Sequence, residues 1–164
     1  MKRLFAAILL VLAAAAAPAP DPAGAQSPGG DTDPAAPTQY AEAFRAVIDA
    51  QMEAFARDDG AAAFAFAAPA IQRQFGTPER FMAMVRTGFQ PVYRPRAVTF
   101  ETPIRVPARD GAGDGKTASA FAQPVRVTSP DGRPVLAMYH MEQQPDGSWR
   151  IAGVVLRALE EREG

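Results

Sequence analysis

The sequence predicts an α+β domain in which helices come first and cover one face of a curved antiparallel sheet. Three observations carry that prediction. Apolar residues recur at helical spacing from Tyr40 to Phe55. Past Gln90, prolines and two-residue alternation replace that spacing. Turn-rich connectors, Ser129-Pro130-Asp131-Gly132 and Gln144-Pro145-Asp146-Gly147, then separate three strand-like runs. Helices followed by hairpin-linked strands segregate into two layers, one helical and one sheet.

Each element has its own signal. Order is expected from about Thr38, an N-cap residue type. Tyr40, Phe44, Val47, Ile48, Met52 and Phe55 form the buried stripe of a helix of about five turns, and Gly60 ends it or starts the next element. An alanine-rich segment with Phe64 and Phe66 follows and is stopped by Pro69. Pro69 opens a further short helix closed by Gly76, since proline suits the first helical position and glycine the residue past the end. Thr77-Pro78-Glu79 is a cap, a proline at the first position and an acid in the first turn. Phe81, Met84 and Val85, with Met82 beside them, make the buried stripe of that helix, and Gly88 stops it.

At Gln90 helix is expected to cease, because Pro91, Pro95, Pro103 and Pro107 interrupt it. Segments such as Ala97–Thr102 and Ile104–Val106 alternate like strands, and Gly111 to Lys116 reads as a turn or loop. Three strands are predicted at Ala118–Ser129, Val135–Gln143 and Ser148–Arg157, forming an antiparallel meander. Pro124 lies inside the first and argues for an edge position or a bulge. Period two places Trp149, Ile151 and Val155 on one face of the last strand. It does the same for Val135, Tyr139 and Met141 on the strand before. Both sets are expected to face the helices, with Gly153 marking a bend after which the alternation shifts.

Length and charge narrow the classes. The chain has 164 residues and a formal charge of -1, which suits one domain with appendages. Its arginines are scattered, whereas nucleic-acid binding needs clustered cations that displace counterions. Lys2 and Arg3 precede an apolar run from Leu4 to Ala17, and Ala23-Gly24-Ala25 forms an A-x-A cleavage site before Gln26. This is the pattern of a secretory signal peptide over residues 1–25, too short to span a bilayer. Cleavage after Ala25 leaves a periplasmic or secreted protein with no stable membrane insertion. Residues 26–39, rich in Pro, Gly and Asp, read as a flexible tether, residues 40–159 as the folded domain and residues 160–164 as a tail. The absence of cysteine removes disulfides, thiolate metal sites and a lipid-modified cysteine.

Ala50 to Asp59, Phe75 to Arg96 and Pro145 to Leu156 (PDGSWRIAGVVL) resemble the bacterial family called domain of unknown function 4864. Helices followed by a bent sheet whose last strand begins D-G-x-W-R-I also resemble the nuclear transport factor 2-like superfamily. The resemblance implies a cone, with N-terminal helices packed on the concave face of a strongly curved antiparallel sheet. That scaffold carries catalysts, binders and assembly modules alike, so it leaves function open.

The cavity of such a cone would be lined by Phe64, Phe66, Phe81, Met84, Phe89, Tyr93, Tyr139, Met141 and Trp149. These are the candidate contacts for a small apolar or amphipathic ligand, and the same side chains would also serve as an ordinary filled core. Arg94 and Arg96 flank Pro95 and are candidates for holding an anion at the cavity mouth; a stiff connector with arginines paired to nearby acids is the plainer reading. An isomerase, dehydratase or cyclase would need a buried carboxylate, for which Asp58, Asp59, Glu101 and Glu142 stand in the relevant segments. No pair of them declares itself, so no catalytic residue is assigned. His140 is the sole histidine and alternates away from Tyr139 and Met141. One histidine without cysteine offers no metal-ligand spacing, and no nucleotide or redox-cofactor motif is present, so no cofactor is expected. The expected function is therefore non-catalytic ligand binding. The alternative is an interaction module that forms a homodimer or binds a partner through the outer sheet face, where Leu136, Met138, His140, Val154 and Leu156 are expected.

Overall fold

The computed structural model describes residues 38–106 and 121–159, all within the unit Thr32–Gly164. The expected signal peptide, most of the tether, the Gly111–Lys116 turn, residues 118–120 of the predicted strand and the tail lie outside the described residues. Among the described residues the domain is α+β: five α-helices, then an antiparallel five-stranded sheet that does not close on itself.

A single 3-10 turn, Thr38–Tyr40, leads into α1 (Ala41–Ala56). Thr38 therefore opens that turn rather than capping the α-helix, whose N-cap is Tyr40 without a side-chain bond. The helix ends because Asp58 adopts φ +57°, a left-handed conformation that the helix cannot propagate. Asp59 then caps α2 (Gly60–Ala65), its carboxylate accepting the Ala62 N–H at 3.0 Å. Helix α3 (Pro69–Phe75) starts on its proline and stops at Gly76, φ +74°. In α4 (Pro78–Gly88) the Thr77 hydroxyl accepts the Arg80 N–H at 3.4 Å. Helix does not cease at Gln90. Pro91 occupies an early position of α5 (Gln90–Tyr93), where its missing N–H has no helical partner to lose.

The sheet comprises β1 (Ala97–Phe100), β2 (Ile104–Arg105), β3 (Phe121–Thr128), β4 (Pro134–Gln143) and β5 (Trp149–Ala158). Its order is β1-β3-β4-β5, with β2 also on β3, so the last three strands form the expected meander. Pro124 contradicts the edge expectation: β3 is flanked on both sides. The strand tolerates it because the Pro124 carbonyl accepts the Glu101 N–H at 3.0 Å, so its nitrogen faces the break between β1 and β2. There the buried Gln123 side chain supplies the absent donor, giving 2.6 Å to the Glu101 carbonyl.

A register shift interrupts β4–β5 pairing, with Met141 opposite Ile151 but His140 opposite Gly153. Ala152 is the extra residue of this bulge, and every later side chain of β5 changes face. Val155 thus leaves the Trp149 and Ile151 side and lies opposite Met138 on the outer face, 38% exposed. Val154 and Leu156, expected outside, lie opposite Tyr139 and Ala137 and pack on the core.

Two apolar clusters result. One joins α1 to the sheet through Phe44, Ile48, Phe121, Tyr139, Met141 and Trp149. The Trp149 indole meets Phe44 edge-on at 4.7 Å and Tyr40 at 5.0 Å between ring centroids, contacts that aromatic quadrupoles favour. The other joins α1, α2 and α4 through Ala54, Phe55, Ala63, Phe81, Met82 and Val85.

Candidate functional site

Trp149 lies in a buried apolar cluster, and open space appears next to that cluster. A cavity of about 330 Å³ lies between the helices and β5. Gln51 and Phe55 of α1 form one side. Ile71, Gln74 and Phe75 of α3 and Phe81, Met84 and Val85 of α4 form another. Phe89, Val92, Ala67 and the β5 residues Ile151, Gly153 and Val154 complete the wall.

The residues after α2 create this space. Phe66 to Ala68 run beside β5, where the Ile151 N–H donates to the Phe66 carbonyl at 2.9 Å and the Ala68 N–H donates to Ile151 at 2.8 Å. This short parallel bridge pins α3 over the end of the sheet. The bulge at Ala152 then turns Val154 inward, and Gly153 presents no side chain to the space. Volume and apolar lining fall at the small end of the range for ligand pockets.

Among the described residues no ionisable side chain lines the cavity. Its polar groups are two amides. Gln74 is exposed, whereas Gln51 is 3% exposed and its Nε2 donates to the Ala63 carbonyl at 3.1 Å.

Phe81, Met84 and Phe89, among the sequence-predicted ligand contacts, line this cavity. The others do not. Tyr139, Met141 and Trp149 belong to the buried cluster, and Phe66 packs against it. Phe64 meets Phe81 in a tilted ring contact, 5.3 Å between centroids, and is not part of the lining. Tyr93 touches Phe55 at 6.1 Å, but its hydroxyl donates to the Asp58 carboxylate. Sequence reasoning missed Gln51, Ile71, Phe75, Val85, Val92 and Val154 as cavity residues. Helical spacing marked Val85 as buried, yet burial does not distinguish a cavity wall from a filled core.

The arginine pair is not assembled. Arg94 donates to Asp58 at 2.7 Å, and Arg86 reaches the same carboxylate at 3.0 Å. Arg96 sits by the β3–β4 turn, 3.8 Å from where a Cβ on Gly132 would stand. The Tyr93 hydroxyl, then Arg86 and Arg94, hold the Asp58 carboxyl below the usual aspartate range. The remaining candidate acids also have partners away from the cavity. Asp59 caps α2, Glu101 pairs with Arg126 at 2.8 Å, and Glu142 accepts from Gln144 at 3.1 Å. The wall therefore offers shape, apolar surface and two amides, and among the described residues it presents no carboxylate to accept a proton.

Burial pushes the Asp49 carboxyl up, with Arg45 opposing, and pushes the fully buried Tyr139 phenol well up. Among the described residues the Tyr139 hydroxyl has no hydrogen-bond partner. Among them, too, no group of three or more acidic, His or Cys residues is placed to hold a metal, and no helix is long and apolar enough to cross a membrane.

A family model described as a domain of unknown function (DUF4864) matches residues 37–164. No curated protein matches the chain, and no solved structure does.

Proposed function

The chain belongs to the DUF4864 family, and from that premise we propose that it is an exported, non-catalytic domain that binds a small apolar or amphipathic molecule. The site is the cavity between the helices and β5. One observation carries the reading: about 330 Å³ of space is walled by apolar side chains and two amides, with no ionisable group among the described residues of the lining. Burying an apolar molecule there stabilises the complex by removing both surfaces from water. Export rests on Lys2, Arg3, the Leu4–Ala17 run and the Ala23-Gly24-Ala25 motif. The order of helices before an antiparallel meander supports placement among nuclear transport factor 2-like domains, with the ligand held by the helices and the last strand.

Native mass spectrometry of the chain purified after export tests this. A mass excess that disappears on denaturation, and is absent from Ile71→Trp, which fills the cavity, is the expected result. A wild-type chain that carries no ligand and takes up no neutral apolar dye would overturn the reading.

The outer sheet face favours a second reading, self-association. Ile104 (42% exposed) and Val155 (38% exposed) are the exposed large hydrophobic residues there, with Leu136 and Met138 half-buried nearby. Sedimentation of wild type and Val155→Lys checks it: a dimer dissociated by the lysine supports a homodimer, and monomers at all concentrations remove it.

A further inference from the structure

We propose that the cavity selects an uncharged ligand bearing a hydrogen-bond donor, such as a hydroxyl or carboxamide on an apolar body, and that Gln51 Oε1 is the atom that selects it. The inference rests on the ligand-binding reading above and names its chemical class. It starts from the amide of Gln51. Because a carbonyl can only accept, the end of the amide facing Ala63 O at 3.1 Å is the nitrogen. The oxygen therefore points away from α2.

Nothing among the described residues donates to that oxygen, and it is not sealed in protein either, since the sole buried unpartnered side-chain atom among them is the Tyr139 hydroxyl. A residue 3% exposed that lines the cavity has little but the cavity to open on. The site thus holds an acceptor that water or a ligand must satisfy, and an apolar ligand without a donor would strand it.

The rest of the wall sets the charge. A carboxylate or ammonium entering this space would shed water without an ion pair in return, because among the described residues Arg, Lys, His, Asp and Glu are all absent from the lining. Arg94, a predicted anion contact, is committed to Asp58. A neutral donor is the group that suits both facts.

The test uses four probes of similar length: 1-decanol, methyl nonyl ether, decanoate and decylammonium, each displacing a neutral fluorescent dye from the purified chain. Decanol is expected to bind about five- to tenfold tighter than the ether, the worth of one neutral hydrogen bond, and both ions more weakly than either. In Gln51→Met the alcohol and ether should converge while the ether holds its affinity. Gln51→Glu should instead raise the affinity for decylammonium, and it stands in if the methionine variant does not fold. Equal binding of alcohol and ether by wild type, or preference for decanoate, would overturn this inference while leaving an apolar site. Failure of all four probes and the dye to bind would remove the ligand-binding reading itself.

Discussion

The Gln123 side-chain amide donates to the Glu101 backbone carbonyl at 2.6 Å, in the place where the Pro124 nitrogen has no hydrogen to offer. The same nitrogen gives 2.8 Å to the Pro124 carbonyl. A buried glutamine thus repairs a gap in the ladder of a central strand, where proline is ordinarily excluded. Gln123→Leu should lower unfolding free energy by about 1 kcal/mol, because it takes the donor from the half-buried Glu101 carbonyl. Adding Pro124→Val restores a backbone donor, so the double variant should recover part of that loss. Urea unfolding of the full cycle measures the coupling; strict additivity would show that the two residues act independently.

Tyr139 presents the opposite case, a buried hydroxyl without a partner among the described residues. Replacing an unsatisfied polar group by an apolar one of the same shape removes a desolvation cost. Tyr139→Phe is expected to be neutral or to stabilise by up to about 1 kcal/mol in thermal unfolding. Destabilisation beyond about 1 kcal/mol would mean that the hydroxyl is satisfied in solution.

Asp58 contributes a pH dependence whose sign follows from its lowered carboxyl. The folded state holds the ionised form through the Tyr93 hydroxyl and then Arg86 and Arg94. The folded value lies below the unfolded one, so the contribution is complete above the ordinary value of 3.8 and is lost as pH falls through the folded value. Asn tolerates the φ of +57° at this position. Asp58→Asn should therefore be less stable than wild type at pH 7, and the gap should shrink on acidification below about pH 4. Urea midpoints across that range check it, and a gap that widens in acid would contradict the assignment.

At Gly60 α2 comes close to α4. A Cβ there would stand 2.8 Å from the Met82 Cγ and 3.7 Å from the Pro78 Cβ, and Met82 is itself buried. Gly60→Ala should cost about 1–3 kcal/mol by overpacking. Gly88, with nothing within 4 Å, is the control; Gly88→Ala should be neutral or gain up to about 1 kcal/mol of helix propensity. Equal effects of the two substitutions in thermal unfolding would show that the α2–α4 contact yields freely.

Much of this fold could be read along the chain because its signals are local. Thr77-Pro78-Glu79, Gly76 and the two Pro-Asp-Gly turns act through residues within one turn of themselves, so helix starts, helix stops and hairpins were legible. The stripe of α1 and the burial of Trp149, Tyr139 and Met141 followed from periodicity, which reports what must leave water. Periodicity could not report the bulge at Ala152, because a register shift is decided by the partner strand. Val154 and Val155 exchanged faces on that account.

By itself, then, the sequence determined an α+β domain, the order of its helices and strands apart from α5, and the buried faces of its elements up to the bulge at Ala152. Tertiary structure alone decided which buried side chains face one another and which face empty space. Phe81 lines the cavity while Phe64, from the same apolar set, packs against Phe81 and is not part of the lining. Pro124 sits in a central strand because Gln123 reaches Glu101, and Arg94 is neutralised because Asp58 lies 36 residues away in sequence and 2.7 Å away in space. The physical reason is common to all of these. Hydrophobicity and propensity are properties of a residue and its neighbours in the chain, whereas a cavity, a borrowed hydrogen bond and an ion pair belong to groups that only folding brings together.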